Sequence, residues 1–260
     1  MPPRPGHHLH IAPSASVASA VAALYVDECD RDLPGVLIPR PEAHLVVRFG
    51  PSTRGGLDAH AIGGRQKVHR KLIRRGQRTV RARLHLSSHE AVLGVPAAAI
   101  AGGTVALGEL WGDAAARRLL DRLSDARSTA EAAAILENAI AERLSLANGR
   151  SARSRFALDA AERLTSANVN AVAVDVGVSA RHLRRVFRET VGVSPKAFAK
   201  LVRFHRALHA ALEDEHTHWA GIAADAGYYD QAHLIAEFRA FTGMTPQGFL
   251  GELRAAPLIG

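Results

Sequence analysis

Residues 223–249 read AADAGYYDQAHLIAEFRAFTGMTPQGF, and residues 173–198 read AVDVGVSARHLRRVFRETVGVSPKAF. The two stretches share their landmarks: an alanine, a glycine, a leucine, a phenylalanine, a second glycine, a hydroxyl residue before proline, and a final phenylalanine. Phe187 and Phe238 lie 51 residues apart, whereas the first glycines, Gly177 and Gly227, lie 50 apart. One residue has therefore been inserted in the turn of the second copy, and the chain is organised around this internal repeat.

Each copy predicts a helix, a short glycine turn and a second, capped helix. Gly177 follows an apolar helical run, where a residue that adopts a left-handed backbone ends the helix. Ser179 can cap the next helix by accepting hydrogen bonds from its first free N–H groups, and Asp230 holds the same place in the second copy. The second helix of the first copy has an apolar face and a basic face. Its apolar residues are Leu183, Val186 and Phe187, and its arginines are Arg181, Arg184, Arg185 and Arg188.

A long helix is predicted to join the two copies. Ser194 followed by Pro195 is a cap and a residue pre-set for the first helical turn, and the helix runs to about Leu212. At about 1.5 Å per residue this helix is roughly 27 Å long, close to the ~34 Å between successive major grooves on one side of B-DNA. Two helix-turn-helix units on a rigid helix could therefore insert helices into adjacent grooves.

Residues 165–250 resemble the DNA-binding domain of the AraC/XylS family of bacterial transcription regulators. The second copy, from Ala226 to Leu234 and from Thr242 to Pro246, is close to that family's signature. A lone helix-turn-helix pattern is a weak signal, but two in register are a strong one. The resemblance implies an α+β chain of two domains: a β-rich amino-terminal sensor-like domain, residues 1–148, and an all-α domain, residues 152–254, with two helix-turn-helix units joined by a long helix.

The resemblance also implies which residues meet double-stranded DNA. Arg181, Arg184 and Arg185 match base-contacting positions of the first recognition helix, and Arg188, Lys196 and Arg203 are expected to contact phosphates. By its charge, Glu237 would be repelled by phosphate unless it faces cytosine or solvent. The complete predicted interface is Ser179, Arg181, His182, Arg184, Arg185, Arg188, Lys196, Arg203, Gln231, Ala232, His233 and Ala236.

Charge and composition agree with a polyanionic partner. The formal net charge is +8, and residues 179–206 carry eight basic side chains against Glu189 alone. The single cysteine, Cys29, excludes an internal disulfide framework and fits a reducing cytoplasm. Because no long apolar stretch appears, neither a signal peptide nor a membrane span is expected. RNA polymerase, a small-molecule effector and a second copy of the chain remain open as further partners, and no cofactor is implied.

The amino-terminal half predicts a β-rich region over about 33–107 and helices over about 113–146. A short amphipathic helix is predicted within residues 11–30, and Asn148 to Ser151 are predicted to form the interdomain linker. Ser128, with Glu131 three residues on, predicts the start of the helix over 129–146. Residues 89–123 are similar to the corresponding part of many AraC-type regulators. Residues 65–83 carry nine basic side chains, predicted to form the solvated face of a hairpin, with an anion-binding or nucleic-acid surface as the alternative.

An enzyme, or a metal- or redox-responsive domain fused to the DNA-binding module, is the alternative from another functional class. His205 and His209 are four residues apart, a spacing that could bind a metal, but no third ligand accompanies them, and surface or phosphate-facing histidines are expected instead. The same alternative would require Cys29 to be reactive, whereas a lone cysteine is more often a small buried residue. Trp111 is expected in the core and not in a ligand pocket.

Overall fold

The computed structural model describes residues 7–147, 152–213 and 217–255. A β-rich amino-terminal region is followed by helices only, which confirms the predicted α+β class with two structurally distinct parts. The predicted linker, Asn148 to Ser151, and the proline-rich start, Met1 to Gly6, lie outside the described residues. In the described ranges, no helix is long and apolar enough to cross a membrane.

The amino-terminal region contains a six-stranded antiparallel sheet with the order β1-β2-β7-β4-β5-β8. A separate antiparallel pair, β3 and β6, completes the strands. Alternate residues of the large sheet face opposite ways, so that Val80, Ala82 and Leu84 of β7 pack into the core. The strands are β1 (His7–Ile11), β2 (Val21–Glu28), β3 (Leu33–Leu37), β4 (His44–Phe49), β5 (Leu57–Ile62), β6 (His69–Ile73), β7 (Arg78–Leu84) and β8 (Thr104–Ala106).

The helix predicted within residues 11–30 is wrong, and the sheet begins at residue 7 instead of residue 33. Val21 to Glu28 form β2, which pairs with β1 on one side and β7 on the other. The alanine-rich composition suggested a helix, but tertiary pairing and the β-branched and aromatic residues Val21, Tyr25 and Val26 favour a strand. Local propensity was therefore overridden by the partners on either side.

The helices of this region cover the core face of the sheet. Both helices predicted over about 113–146 are confirmed, and Ser128 Oγ accepts a hydrogen bond from Glu131 N at 3.1 Å. Trp111 is buried, as expected, and its indole N–H donates to the carbonyl oxygen of Val92 at 2.8 Å. These helices are α1 (His89–Leu93), α2 (Ala97–Ile100), α3 (Leu107–Trp111), α4 (Asp113–Ser124) and α5 (Thr129–Leu146).

The carboxy-terminal domain is all helical over its described residues, and each copy of the repeat has its own core. In the first unit Phe187 packs edge-on against Phe198, with ring centroids 5.4 Å apart. In the second, Phe204 packs against Phe238 at 4.8 Å and near Phe249. The helices are α6 (Ala152–Arg163), α7 (Val169–Asp175), α8 (Ala180–Val191), α9 (Pro195–Glu213), α10 (Trp219–Asp225), α11 (Gln231–Thr242) and α12 (Pro246–Ala255).

The amino-terminal region contacts both units of the carboxy-terminal domain. The backbone N–H of Val68 donates to the carbonyl oxygen of Phe241 at 2.8 Å. Arg70 donates to both carboxylate oxygens of Glu252, at 2.6 and 2.8 Å. On the first unit, Gly192 at the end of α8 approaches α2 so closely that an added Cβ would lie 3.1 Å from the carbonyl oxygen of Ala97.

The basic stretch 65–83 is not simply a solvated hairpin face. Its basic residues lie in different environments. Arg70 binds Glu252 of α12, whereas Arg81 is 3% exposed and paired with Asp27 at 2.9 Å. Arg74 pairs with Asp32 at 2.8 Å, and Arg78 lies over the ring of Phe49. Several of these charges therefore serve internal contacts, which the sequence pattern could not show because their partners are distant along the chain.

Candidate nucleic-acid interface

The recognition helices α8 and α11 begin and end in the same way. Ser179 Oγ accepts a hydrogen bond from His182 N at 3.2 Å, and Asp230 Oδ1 accepts one from His233 N at 2.7 Å. Both helices end at a glycine in the left-handed region, Gly192 with φ 85° and Gly243 with φ 78°. Because Ser179 caps its helix, its hydroxyl has a structural role before any ligand is considered.

Both helices turn their predicted contact residues to solvent. On α8 the buried residues are Leu183, Val186, Phe187 and Val191, and on α11 they include Leu234 and Phe238. The exposed surface of α8 is strongly basic, whereas that of α11 is nearly neutral. The exposed predicted residues are Arg181, His182, Arg184, Arg185 and Arg188 on α8, and Gln231, Ala232, His233 and Ala236 on α11.

A basic groove of about 860 Å³ lies between the two units along the long helix α9. Its walls include the start of α7 at Asn168 and the turn of the second unit at Gly227. An anionic polymer is the complement of such a groove, since phosphates attract guanidinium and ammonium groups without reference to sequence. The cationic residues in its lining are Arg184, Lys196, Lys200, Arg203 and Arg206.

Two of these cations, Lys200 and Arg206, were not among the residues predicted for the interface. Arg206 also donates to the carbonyl oxygen of Thr165 at 3.1 Å, which ties α9 to the end of α6. The spacing of positions 196, 200, 203 and 206 by three or four residues would have revealed a shared helix face. The basic side chains of α9 therefore form one row along the groove.

Arg185 lies apart from this groove. It borders a cleft formed with Ser87, Glu90 and Pro96 of the amino-terminal region, and its Nη1 lies 3.4 Å from the carboxylate of Glu189. Arg184, one residue earlier, faces the groove. The structure thus separates two arginines that sequence analysis treated as equivalent.

Glu237 is 4% exposed and is the centre of a charged cluster between α9 and α11. Its Oε1 lies 2.8 Å from Arg203 Nη2, 3.3 Å from Lys200 Nζ and 3.4 Å from His233 Nε2. Glu237 therefore does not face solvent, because it is buried and paired with cations. Two cations beside the groove are held by an internal carboxylate, which reduces what Arg203 can offer to phosphate.

Tyr228 lies beside the same cluster and supports Arg203. The guanidinium of Arg203 lies 5.4 Å from the ring centroid of Tyr228, and the ring of His233 meets it edge-on at 5.3 Å. Burial, and then the negative charge of Glu237, raises the pKa of the Tyr228 phenol above its ordinary value. The phenol is therefore neutral at physiological pH. Tyr228 can contribute packing and hydrogen bonds to the cluster, but no charge.

His205 and His209 have different surroundings. His205 Nε2 lies 2.7 Å from the carbonyl oxygen of Pro39, so His205 meets the amino-terminal region and the expectation of a surface or phosphate-facing histidine is wrong for it. Burial, and then the charge of Arg40, lowers the pKa of His205 to about 4. His209 is exposed beside Glu213. Within the described ranges, no three His, Cys, Asp or Glu residues form a group that could hold a metal.

Comparison with known proteins shows a match over the repeat. Residues 172–252 match the helix-turn-helix domain family. No curated protein matches the chain. Among solved structures, the C-terminal domain of AraT, a response regulator from Geobacillus stearothermophilus, is 21% identical, covers 42% of this chain and 92% of its own, and has a TM-score of 0.37.

Two further solved structures match this chain. A DNA-binding transcriptional dual regulator from Escherichia coli K-12 is 22% identical over 38% of this chain and 95% of its own, with a TM-score of 0.32. ToxT from Vibrio cholerae O395 is 10% identical over 88% of this chain and 98% of its own, with a TM-score of 0.44. The family match covers the doubled pattern, and both copies are folded as capped helix pairs on a connecting helix. Residues 172–252 of this chain therefore form a helix-turn-helix domain, with two helix-turn-helix units.

Proposed function

We propose that this chain is a sequence-specific transcription regulator that places α8 and α11 in two adjacent major-groove segments of DNA. The observation that supports this most is the basic groove along α9, which joins the two recognition helices and is lined by five cations. The long helix has 19 residues, roughly 28 Å at 1.5 Å per residue, close to the ~34 Å repeat of B-DNA. Phosphates between the two segments would occupy the groove.

The two helix-turn-helix units then contribute unequally to DNA binding. Arg181, Arg184 and Arg185 are proposed to contact bases, where one bidentate arginine–guanine pair gives about 1–3 kcal/mol of discrimination. Arg188, Lys196 and, in part, Arg203 are proposed to contact phosphates. On α11, Gln231 and His233 offer polar contacts, whereas Ala232 and Ala236 are too short for most hydrogen bonds and suit close approach or a thymine methyl group.

Selection of bound genomic fragments, followed by binding titrations at several salt concentrations, tests this proposal. Lys196→Ala should weaken binding to all sequences alike and reduce the slope of log K against log salt by about 0.9, since one phosphate contact is lost. Arg184→Ala should instead relax the preference at one base pair. Arg75→Ala, an exposed arginine of the amino-terminal region, is the matched control. An unchanged slope for Lys196→Ala, or no selected sequence at all, would contradict the proposal.

Unequal readout has its own test. Arg185→Ala is expected to relax base preference more than Ala236→Ser, because a guanidinium is lost in the first variant and only a hydroxyl is added in the second. Equal effects of the two variants on the selected sequence would refute the unequal division. Arg185 also pairs with Glu189. The slope of log K against log salt for Arg185→Ala shows which contact was lost, because the loss of a phosphate contact reduces the slope and the loss of a base contact does not.

Control through the amino-terminal region is the second part of the proposal. Arg70 joins β6 to α12 and also donates to the carbonyl oxygen of Thr242 at 3.0 Å, so the amino-terminal region restrains the second unit. Arg70→Ala should therefore change the affinity of the chain for DNA. Arg74→Ala is the matched control because Arg74 pairs with Asp32 inside the amino-terminal region. Equal affinities of both variants and the parent chain would refute this coupling.

The alternative of a fused enzymatic or redox-responsive domain gains no support from Cys29. Burial, and then the charges of Asp27 and Asp30, raises the pKa of the thiol above its ordinary value. A reactive cysteine needs the thiolate, which these surroundings disfavour. RNA polymerase and a second copy of the chain remain partners that genomic selection and in vitro transcription would test.

A further inference from the structure

A second basic cleft, here called the junction cleft, lies where the amino-terminal region meets the end of α8. Its volume is about 860 Å³. One wall is the loop between β5 and β6, and the opposite wall is the last turn of α8 together with the turn that leads to α9. The cationic residues of its lining are Arg65 and Lys67 from the loop and Arg188 from α8.

The junction cleft is positively charged, and its described lining contains no carboxylate. Lys67 and Arg188 are both exposed. Arg65 donates to the hydroxyl of Thr104 at 3.2 Å, a neutral partner that leaves its charge unbalanced. Burial, and then the positive charge of Arg65, lowers the pKa of His69, which also borders the cleft and is therefore neutral at physiological pH. The charge of the cleft comes from its three cations.

The loop that carries Lys67 is held by backbone hydrogen bonds on both sides of this residue. Before it, Arg65 N donates to Arg40 O at 2.7 Å, and after it, Val68 N donates to Phe241 O at 2.8 Å. The second of these bonds attaches the loop to the end of α11. Because the backbone around Lys67 is already ordered, an anion that binds there costs little additional backbone entropy.

The junction cleft adjoins the basic groove along α9. Ser194, which caps α9 by accepting a hydrogen bond from Ala197 N at 3.2 Å, lines both of them. On α8, Arg184 borders the groove, and Arg188, one turn later on the same face, borders the cleft. The positive end of the α9 dipole lies where groove and cleft meet. A phosphate backbone that follows the groove can therefore continue into the cleft.

We propose that the junction cleft binds the sugar-phosphate backbone of DNA next to the segment bound by α8, so that the amino-terminal region itself contacts DNA through Arg65 and Lys67. This inference rests on the proposed function and extends its interface beyond the two helix-turn-helix units. Phosphate is the matching ligand, because three cations without a counter-charge attract a polyanion whatever its base sequence. The start of the basic stretch 65–83 then contacts DNA, while later members of the stretch form internal contacts.

Binding titrations of the full chain at several salt concentrations, with the selected DNA and with an unrelated duplex, test the proposal. Lys67→Ala should weaken binding to both duplexes and reduce the slope of log K against log salt by about 0.9, since one phosphate contact is lost. Arg75→Ala, which removes another exposed cation of the amino-terminal region, should leave the slope unchanged. An unchanged slope for Lys67→Ala would overturn the proposal.

Directed cleavage of the DNA backbone shows whether Lys67 lies beside DNA, since a long-range effect of charge could also change the salt slope. An iron chelate is attached to the thiol of Lys67→Cys in a chain that also carries Cys29→Ser, so that one thiol reacts. It should cut the selected duplex at a few nucleotides next to the segment bound by the first unit. The same chelate on Arg75→Cys should not cut DNA. Absence of cleavage from position 67 would also overturn the proposal.

These measurements keep the two proposals distinct. A parent chain that binds selected DNA, with Lys67→Ala equal to it in slope or with no cleavage from position 67, refutes the DNA contact of the junction cleft and leaves the proposed function intact. A parent chain that selects no DNA overturns the proposed function and this inference with it. The expected result is a reduced slope for Lys67→Ala together with cleavage from position 67 alone.

Discussion

Removal of the charge of Glu237 should destabilise the chain by about 1.5 kcal/mol. A hydrogen bond to a charged group contributes about 1.5–3 kcal/mol net, and the carboxylate lies within 3.4 Å of three donors. Its partners are 24–42% exposed, so solvent screening favours the lower end of that range. In Glu237→Gln the amide oxygen can still accept from Arg203, while Lys200 and Arg203 are left near each other without a counter-charge.

Urea unfolding of the full chain measures this free energy. Glu213→Gln is the matched control, since Glu213 pairs with His209 on α9 at 3.2 Å but both side chains are at least 70% exposed. An exposed pair of this kind contributes about 0–1 kcal/mol, so the control should stay near the parent value. The reasoning is refuted if Glu237→Gln loses no more than the control, or if it is more stable than the parent chain.

Two further outcomes follow from buried groups. His89 is 1% exposed, its Nε2 accepts from Ala43 N at 3.1 Å, and burial lowers its pKa to about 4. Because the unfolded chain binds this proton at higher pH, His89 alone should lower the stability by about 2 kcal/mol between pH 7 and pH 5, and His205 should add to that fall. Urea titrations at both pH values should show a smaller fall for His89→Gln than for the parent chain. Gly192→Ala should cost more than Gly243→Ala: both glycines are left-handed, worth about 1–2 kcal/mol each, but only at Gly192 does an added Cβ meet Ala97. Thermal unfolding that ranks the two variants equally would show that α2 does not pack there.

The sequence predicted the carboxy-terminal domain well because its signals are local. Left-handed glycines, the caps Ser179 and Asp230, and the apolar spacing of each helix act within a few residues of one another. The predictions that failed depended on distant partners. Val21 to Glu28 form a strand because β1 and β7 flank them, and His205 is half-buried because Pro39, 166 residues earlier, lies against it.

The surroundings of Glu237, within the candidate interface, also depend on residues that are distant along the chain. Its position on α11 next to Phe238 gives no sign that Lys200 and Arg203, more than thirty residues earlier, converge on it. The sequence did show an acidic residue, Glu237, within a helix predicted to contact DNA. That unexpected charge was the one sign that Glu237 has a different role. A carboxylate that would repel phosphate when exposed is tolerated because it is buried and paired.

The two copies of the repeat have the same backbone arrangement, but their charged side chains have different partners. On α8 the arginines are exposed and open to a polyanion, whereas beside α11 the carboxylate of Glu237 holds Lys200 and Arg203 in place. The second unit is also the one bound by Arg70 and packed against Val36 and Val68 of the amino-terminal region. If the first unit supplies most of the affinity, then control exerted on the second unit can alter which sites are read without releasing the protein from DNA. A change at Arg70 of the amino-terminal region should therefore alter the ratio of specific to non-specific affinity more than it alters the salt slope, which α8 and the groove largely determine.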